Sequence, residues 1–149
     1  LKGEIIMAGT ITGTLTRLGV RQGSPPVVKV ELTCTADAEA ATYPETVVNT
    51  LSGVSDFDLR GLKLYSVKAI PGDTAPTDAT DLVIEDEYGV DLLGGRGVDF
   101  IDASDKTWIA AGPAKDTQPA LITGNITVKI TNNEINSAVT TIILEFIGA

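Results

Sequence analysis

Six carboxylates crowd residues 78–91: Asp78, Asp81, Glu85, Asp86, Glu87 and Asp91. Oxygen-rich loops of this kind can hold calcium, but an EF-hand loop needs acidic or amide oxygens at alternating positions, a glycine for the sharp turn and a terminal glutamate. That spacing is missing. Glu85 and Glu87 share a parity opposite Ile84, so the cluster reads as a solvated acidic rim, and no metal site is expected. A pair of carboxylates at fixed separation could also serve glycoside hydrolysis. With 20 Asp and Glu in the chain, such pairs arise by number alone. Serines such as Ser66 and Ser104 have no base to activate them, because the chain contains no histidine and shows no Ser-x-x-Lys motif or nucleophile elbow. Gly94-Gly95-Arg96-Gly97 is followed by no amphipathic helix whose N-terminus would complete a phosphate cradle, and reads as a tight turn. Asn125-Ile126-Thr127 matches a glycosylation acceptor by pattern only, and it lies in a strand. The expectation is a non-enzyme with no catalytic residue and no cofactor.

Composition narrows the partners. Eleven basic against 20 acidic residues give a net charge of -9, which repels phosphate backbones and anionic lipid, so nucleic acid and membrane surfaces are not expected partners. A basic protein surface remains. No apolar run approaches the ~20 residues of a membrane span, and no stretch reads as a signal peptide. The 149 residues suit one β domain over 1–149, large enough to bury roughly 70% of its unfolded surface. The single cysteine, Cys34, shares a parity with Val28, Val30 and Leu32 and reads as a small buried hydrophobe.

The elements that position these residues are strands. Residues 62–97 form the central unit: an apolar strand, a loop built around Pro71 and Pro76, a second strand, a one-glycine turn and a short strand stopped by glycines. Proline cannot continue a ladder, and the flanking residues are the β-branched, aromatic and aliphatic types that fit a pleated surface. Residues 4–18 alternate Ile5, Met7, Ile11 and Leu15 with alanine and threonines, a strand with Gly9 and Gly13 marking a bend or close approach. Residues 27–35 alternate cleanly. Within 36–55, one helical turn at Ala38–Ala41 and a short strand at Glu45–Thr50 are expected, and Phe57 and Leu59 lead into the Leu62 strand. Beyond Gly97, Val98 and Phe100 suit an inner face. Trp108 lies in a polar loop, where a solitary tryptophan anchors either packing or an interface.

Two clean strands close the chain. In 121–131, Ile122, Ile126, Val128 and Ile130 point inward. In 137–147, Ile142, Leu144 and Phe146 share one face, while Ile143 and Ile147 lie on the other. The asparagine-rich linker 132–136 reads as the turn of a hairpin. A strand apolar on both faces points to a second contact, so Trp108, Ile143 and Ile147 are the candidate interface. Eight or nine short strands without a long helix predict an all-β fold, an antiparallel β-sandwich or jelly-roll-like barrel with little helix. Its core is drawn from Val30, Leu32, Leu64, Leu82, Ile84, Ile126, Val128, Leu144 and Phe146.

The run from Val67 to Asp78, VKAIPGDTAPTD, followed by Asp81–Gly95, DLVIEDEYGVDLLGG, resembles a recurrent family of small tailed-bacteriophage virion proteins. In that family a strand ends in Pro-Gly, a Pro-Thr-Asp loop follows, and a strand then carries Asp-x-x-Gly-Val-Asp-Leu-Leu. A closing pair of strands comes after a proline-containing segment, as at Ala120–Ile130 here. The resemblance covers 62–147 and is densest at 67–95; residues 1–61 have less claim on it. It implies a virion structural protein. Size and composition favour a capsid decoration, or cement, protein on the head surface over a tail or baseplate component. Family analogy and the three-fold positions of head lattices imply a homotrimer, with the major capsid protein or another virion protein as partner. The alternative is a carbohydrate- or ligand-binding β-sandwich, although such modules display several aromatics on one face and this chain has seven in all.

Overall fold

The computed structural model describes residues 9–18, 22–23, 25–113 and 118–148. Among these residues nine strands appear in order: β1 (Thr10–Arg17), β2 (Val27–Thr35), β3 (Thr46–Val47), β4 (Leu62–Pro71), β5 (Asp81–Glu85), β6 (Thr107–Ala110), β7 (Ala120–Leu121), β8 (Thr127–Thr131) and β9 (Val139–Gly148). They form two antiparallel sheets. The larger has the order β1-β2-β9-β4-β6, with β7 also paired to β4, and the smaller has the order β3-β8-β5. The fold is the expected all-β antiparallel sandwich. Among the described residues no helix is long and apolar enough to cross a membrane.

Alternation fixes which side chains meet. Val28, Val30 and Leu32 of β2 stand opposite Phe146, Leu144 and Ile142 of β9, and Leu64, Val67 and Ala69 of β4 flank the same three from the other side. In the smaller sheet Leu82 and Ile84 oppose Ile130 and Val128. All of these join one buried cluster with Ile122 and Ile126, and every residue expected in the core belongs to it. Each large aliphatic or aromatic side chain buried this fully contributes roughly 1.5–3 kcal/mol.

Several connections differ from the sequence expectation. β8 and β9 do not form a hairpin, because they lie in different sheets and the 132–136 linker crosses between them. Asn133 holds that crossing: its Oδ1 accepts Thr77 N at 3.0 Å and its Nδ2 donates to the Ala41 and Ile135 carbonyls. β4 and β5 are likewise in different sheets, joined by the two-proline loop. Alternation reports a strand's faces but not its neighbour, and that is why the hairpin expected at 121–147 is not the pairing found. Pro71 still occupies the last position of β4, opposite Thr140.

The short strand expected after Gly89 is a run of turns with one bridge, Glu85 to Asp91, because the Asp91 carboxylate accepts Leu93 N at 3.0 Å and Gly95 N at 2.8 Å and winds the chain around itself. The strand expected at 45–50 is reduced to two residues followed by a 3-10 turn at Val48–Thr50. The single turn expected at 38–41 is present, with Asp37 Oδ1 accepting the amides of Glu39 and Ala40. Ile5 and Met7, assigned to the first strand, lie outside the described residues.

Sheet edges expose unpaired backbone groups that invite aggregation, and here loops cover them. Leu15 N donates to Gly53 O at 3.2 Å on the outer side of β1, a contact so close that a side chain at Gly53 would overlap the Gly13 carbonyl. Residues 91–101 cover β5, with Leu82 N donating to Gly97 O at 2.9 Å and Leu92 N to Ile84 O at 2.7 Å. The Arg96 guanidinium donates to the carbonyls of Ala110 and Gly112 beside β6.

Candidate interaction surface

The acidic residues serve the turns. Asp86 Oδ1 accepts the amides of Tyr88 and Val90, both at 2.9 Å. Asp81 accepts Asp99 N at 2.7 Å and is also bonded by the Asn132 side chain. Glu85 is paired with Lys129 at 2.8 Å, and Glu87 accepts the Thr123 hydroxyl at 2.6 Å. Asp102 accepts the amides of Ser104 and Asp105, first of all the latter, and these hold its carboxyl below the usual range. A carboxylate whose lone pairs already face N–H donors offers little to a cation. Among the described residues, no group of three or more acids and cysteines is placed to hold a metal ion.

Two concavities bear on ligand binding. One, of about 240 Å³, lies between Tyr43, Glu45, Lys129 and Asn133, below the size usual for small-molecule sites. The other, about 480 Å³, is polar and lined by Asn49, Asp56, Phe57, Asp58, Arg60 and Asn125. Asp58 is held to about 2, first by its side-chain bond to Arg60 and then by the Arg60 amide. A sugar would stack on the Phe57 ring, but the Arg17 guanidinium already lies 4.6 Å from the ring centre.

The three interface candidates do share a face. Cross-strand partners point to the same side of a sheet, and the register gives the row Glu31, Ile143, Lys68, Trp108 across β2, β9, β4 and β6. This side faces away from the core. Trp108 is not in a loop but in β6, and it is 56% exposed, so it does not anchor the interior. Ile143 differs from the expectation of an open apolar residue. Set between Glu31 and Lys68 in the register, it is only 9% exposed. Ile147 is half-buried in a second row, between Val27 and Lys63, with Leu121 of β7 beyond.

Sequence reasoning missed two members of this surface, Tyr65 (50% exposed) and Leu121 (52%). Tyr65 is the extra residue of a β-bulge: Leu64 pairs with Phe146 and Ser66 with Glu145, leaving Tyr65 between them. The signal was present in the sequence. Leu62 and Leu64 share one parity and Val67 and Ala69 the other, a switch that only an inserted residue can make. Below Tyr65, Ser66 Oγ donates to Glu145 Oε1 at 2.6 Å, and Lys68 lies 3.2 Å from the same carboxylate. The bulged segment is therefore held firmly.

A second exposed group lies apart from this face. Tyr88 is 82% exposed at the Asp86–Val90 turn, with Val90 beside it. Val98, expected on an inner face, is also exposed, whereas Phe100 is buried as expected; the turns of 92–99 break the alternation that linked the two.

The chain matches no protein-family model and no curated protein. Among solved structures it is similar to the cyanophage Pam1 capsid asymmetric unit, with a TM-score of 0.41 and 9% identity, over 100% of this chain and 91% of that one.

Proposed function

We propose that this chain is a non-enzymatic structural protein of a phage virion, a capsid decoration protein that assembles with itself, as a homotrimer, and seats on the head surface against the major capsid protein. The observation that carries the reading is the outer face of the larger sheet, where Tyr65, Trp108 and Leu121 are each at least half exposed and Ile147 lies among them. Exposed apolar groups gathered on one rigid face mark a protein-protein contact, and aromatic anchors dominate such contacts. The sequence resemblance at 67–95 supplies the setting. In the fold that segment builds the end of β4, the crossing loop, β5 and the turns that cover its edge.

Purified particles analysed by mass spectrometry should contain the protein, and the recombinant chain should bind expanded, undecorated heads. A chain that is absent from particles and indifferent to heads would remove this reading and favour a ligand-binding sandwich.

A further inference from the structure

Two exposed surfaces of this chain carry opposite charge. The outer face of the larger sheet carries Lys29, Lys63 and Lys68 against Glu31 and Glu145. Lys29 is paired with Glu31 at 3.9 Å and Lys68 with Glu145 at 3.2 Å. Lys63 makes no ion pair among the described residues, and it stands between Ile147 and Leu121 in the register. Among the strand residues that the register places on this face, Glu31 and Glu145 are the acids. In a chain of net charge -9, most other surfaces meet a second copy with repulsion.

The Asp86–Val90 turn is the counterpart. It projects the most exposed large apolar side chain among the described residues, Tyr88, with Val90 beside it, directly after the acidic pair Asp86 and Glu87. The turn is rigid. Asp86 Oδ1 accepts two of its amides, Asp86 N donates to Val90 O at 3.0 Å, Gly89 takes a φ of 82°, and Glu87 is tethered to Thr123. A tyrosine carried on a fixed backbone has only its side-chain freedom to lose on binding, which suits it to be an anchor.

We propose that the Asp86–Val90 turn of one copy docks on the outer sheet face of a second copy, with Tyr88 seated among Tyr65, Trp108 and Leu121 and Glu87 facing Lys63. The occupant of the face is thus another copy of this chain. The inference rests on the self-assembly proposed above and names the contact behind it. Because the two surfaces differ, the contact is head-to-tail, and successive copies close into a ring when the rotation permits.

The test uses the mixing behaviour peculiar to such a contact. Tyr88→Ser spoils the turn and leaves the face intact; Trp108→Glu does the reverse, and the two altered residues offer each other no charge pair. Both positions are exposed, and circular dichroism checks that each variant folds. By sedimentation velocity the parent chain should assemble, and each variant alone should be weakened by about tenfold or more, as for an interface anchor. An equimolar mixture should give a one-to-one dimer of twice 15.5 kDa and nothing larger, since only one good contact can form. A monomeric parent overturns the proposal, as does a Tyr88→Ser variant that assembles like the parent, the result a face-to-face dimer would give. A mixture that stays monomeric also overturns it. A ring that forms but ignores phage heads would leave this contact standing and remove the virion reading instead.

Discussion

Trp108 stands directly across from Lys68, on the side of the larger sheet turned away from the core. Lys68 is held by Glu145, so the indole, more than half exposed, has a charged but fixed neighbour. Trp108 is the sole tryptophan, so its fluorescence reports this surface alone. In dilute solution the emission should be red-shifted and readily quenched by acrylamide, and raising the protein concentration should shift it to the blue as a partner covers the ring. A blue, quencher-resistant emission at every dilution would place the indole in the monomer's interior.

Adjacent residues of β9 should respond unequally to truncation. Leu144 is fully buried between Val30 and Val67, whereas Ile143 lies on the outer face between Glu31 and Lys68. Leu144→Ala should lower stability by roughly 2–5 kcal/mol, the range for a large-to-small core change. Ile143→Ala should lose clearly less, because the methylene stems beside it can close over the gap. Urea denaturation of the two variants decides this, and equal losses would mean that Ile143 is packed as tightly as the core.

The strand faces were legible in the sequence because a period of two needs no knowledge of the partner strand. Val28 to Cys34, Leu82 to Ile84 and Ile142 to Phe146 all point where alternation sends them. Strand neighbours were not legible. The loop after Pro71 and the loop after Thr131 cross between sheets, and what directs them there is specific polar anchoring, such as Asn133 bonding to Thr77 and Ala41 across the chain. The candidate surface was half legible. Ile147 and Trp108 follow from strand parity and from the rarity of tryptophan, but Tyr65 depends on a bulge and Leu121 on a two-residue strand too short to show a period.

Cys34 should be inert in the native protein. Burial raises its thiol from the ordinary 9.0 to about 12, and a backbone hydrogen bond from Ile142 offsets only part of this. The thiolate is the reactive form, so Ellman's reagent should react only in denaturant. The same shift has a sign in stability. A folded-state value above the unfolded one means that the fold holds the proton more tightly, so this contribution is complete below pH 9 and is lost as pH rises from there toward 12. Tyr43 is raised too, by burial first and then by its proximity to Cys34, and acts in the same direction. Alkaline titration of the unfolding midpoint should show a decline in this window that is smaller in Cys34→Ala. Rapid labelling of the native thiol would contradict the buried placement.

The covering of β5 gives the last prediction. Gly97 lies against the strand so closely that a Cβ would overlap the Leu82 carbonyl, while its own carbonyl accepts Leu82 N. Its φ is outside the left-handed region, so the obstacle to a side chain is steric alone. Gly89 is the contrasting case: its φ is 82° and a Cβ there would meet open space, so alanine would add backbone strain without disturbing a neighbour. Gly97→Ala should therefore push the 91–101 segment off β5, at a loss of about 1–3 kcal/mol for the overpacking, and leave an unpaired edge that recruits other chains. Gly89→Ala should lose a comparable 1–3 kcal/mol for a left-handed residue without a side-chain exemption, yet remain free of aggregate. A thermal ramp followed by light scattering separates the two. Scattering that rises early for Gly97→Ala alone is the expected result, and equal scattering from both variants would mean that the 91–101 segment does not guard the edge.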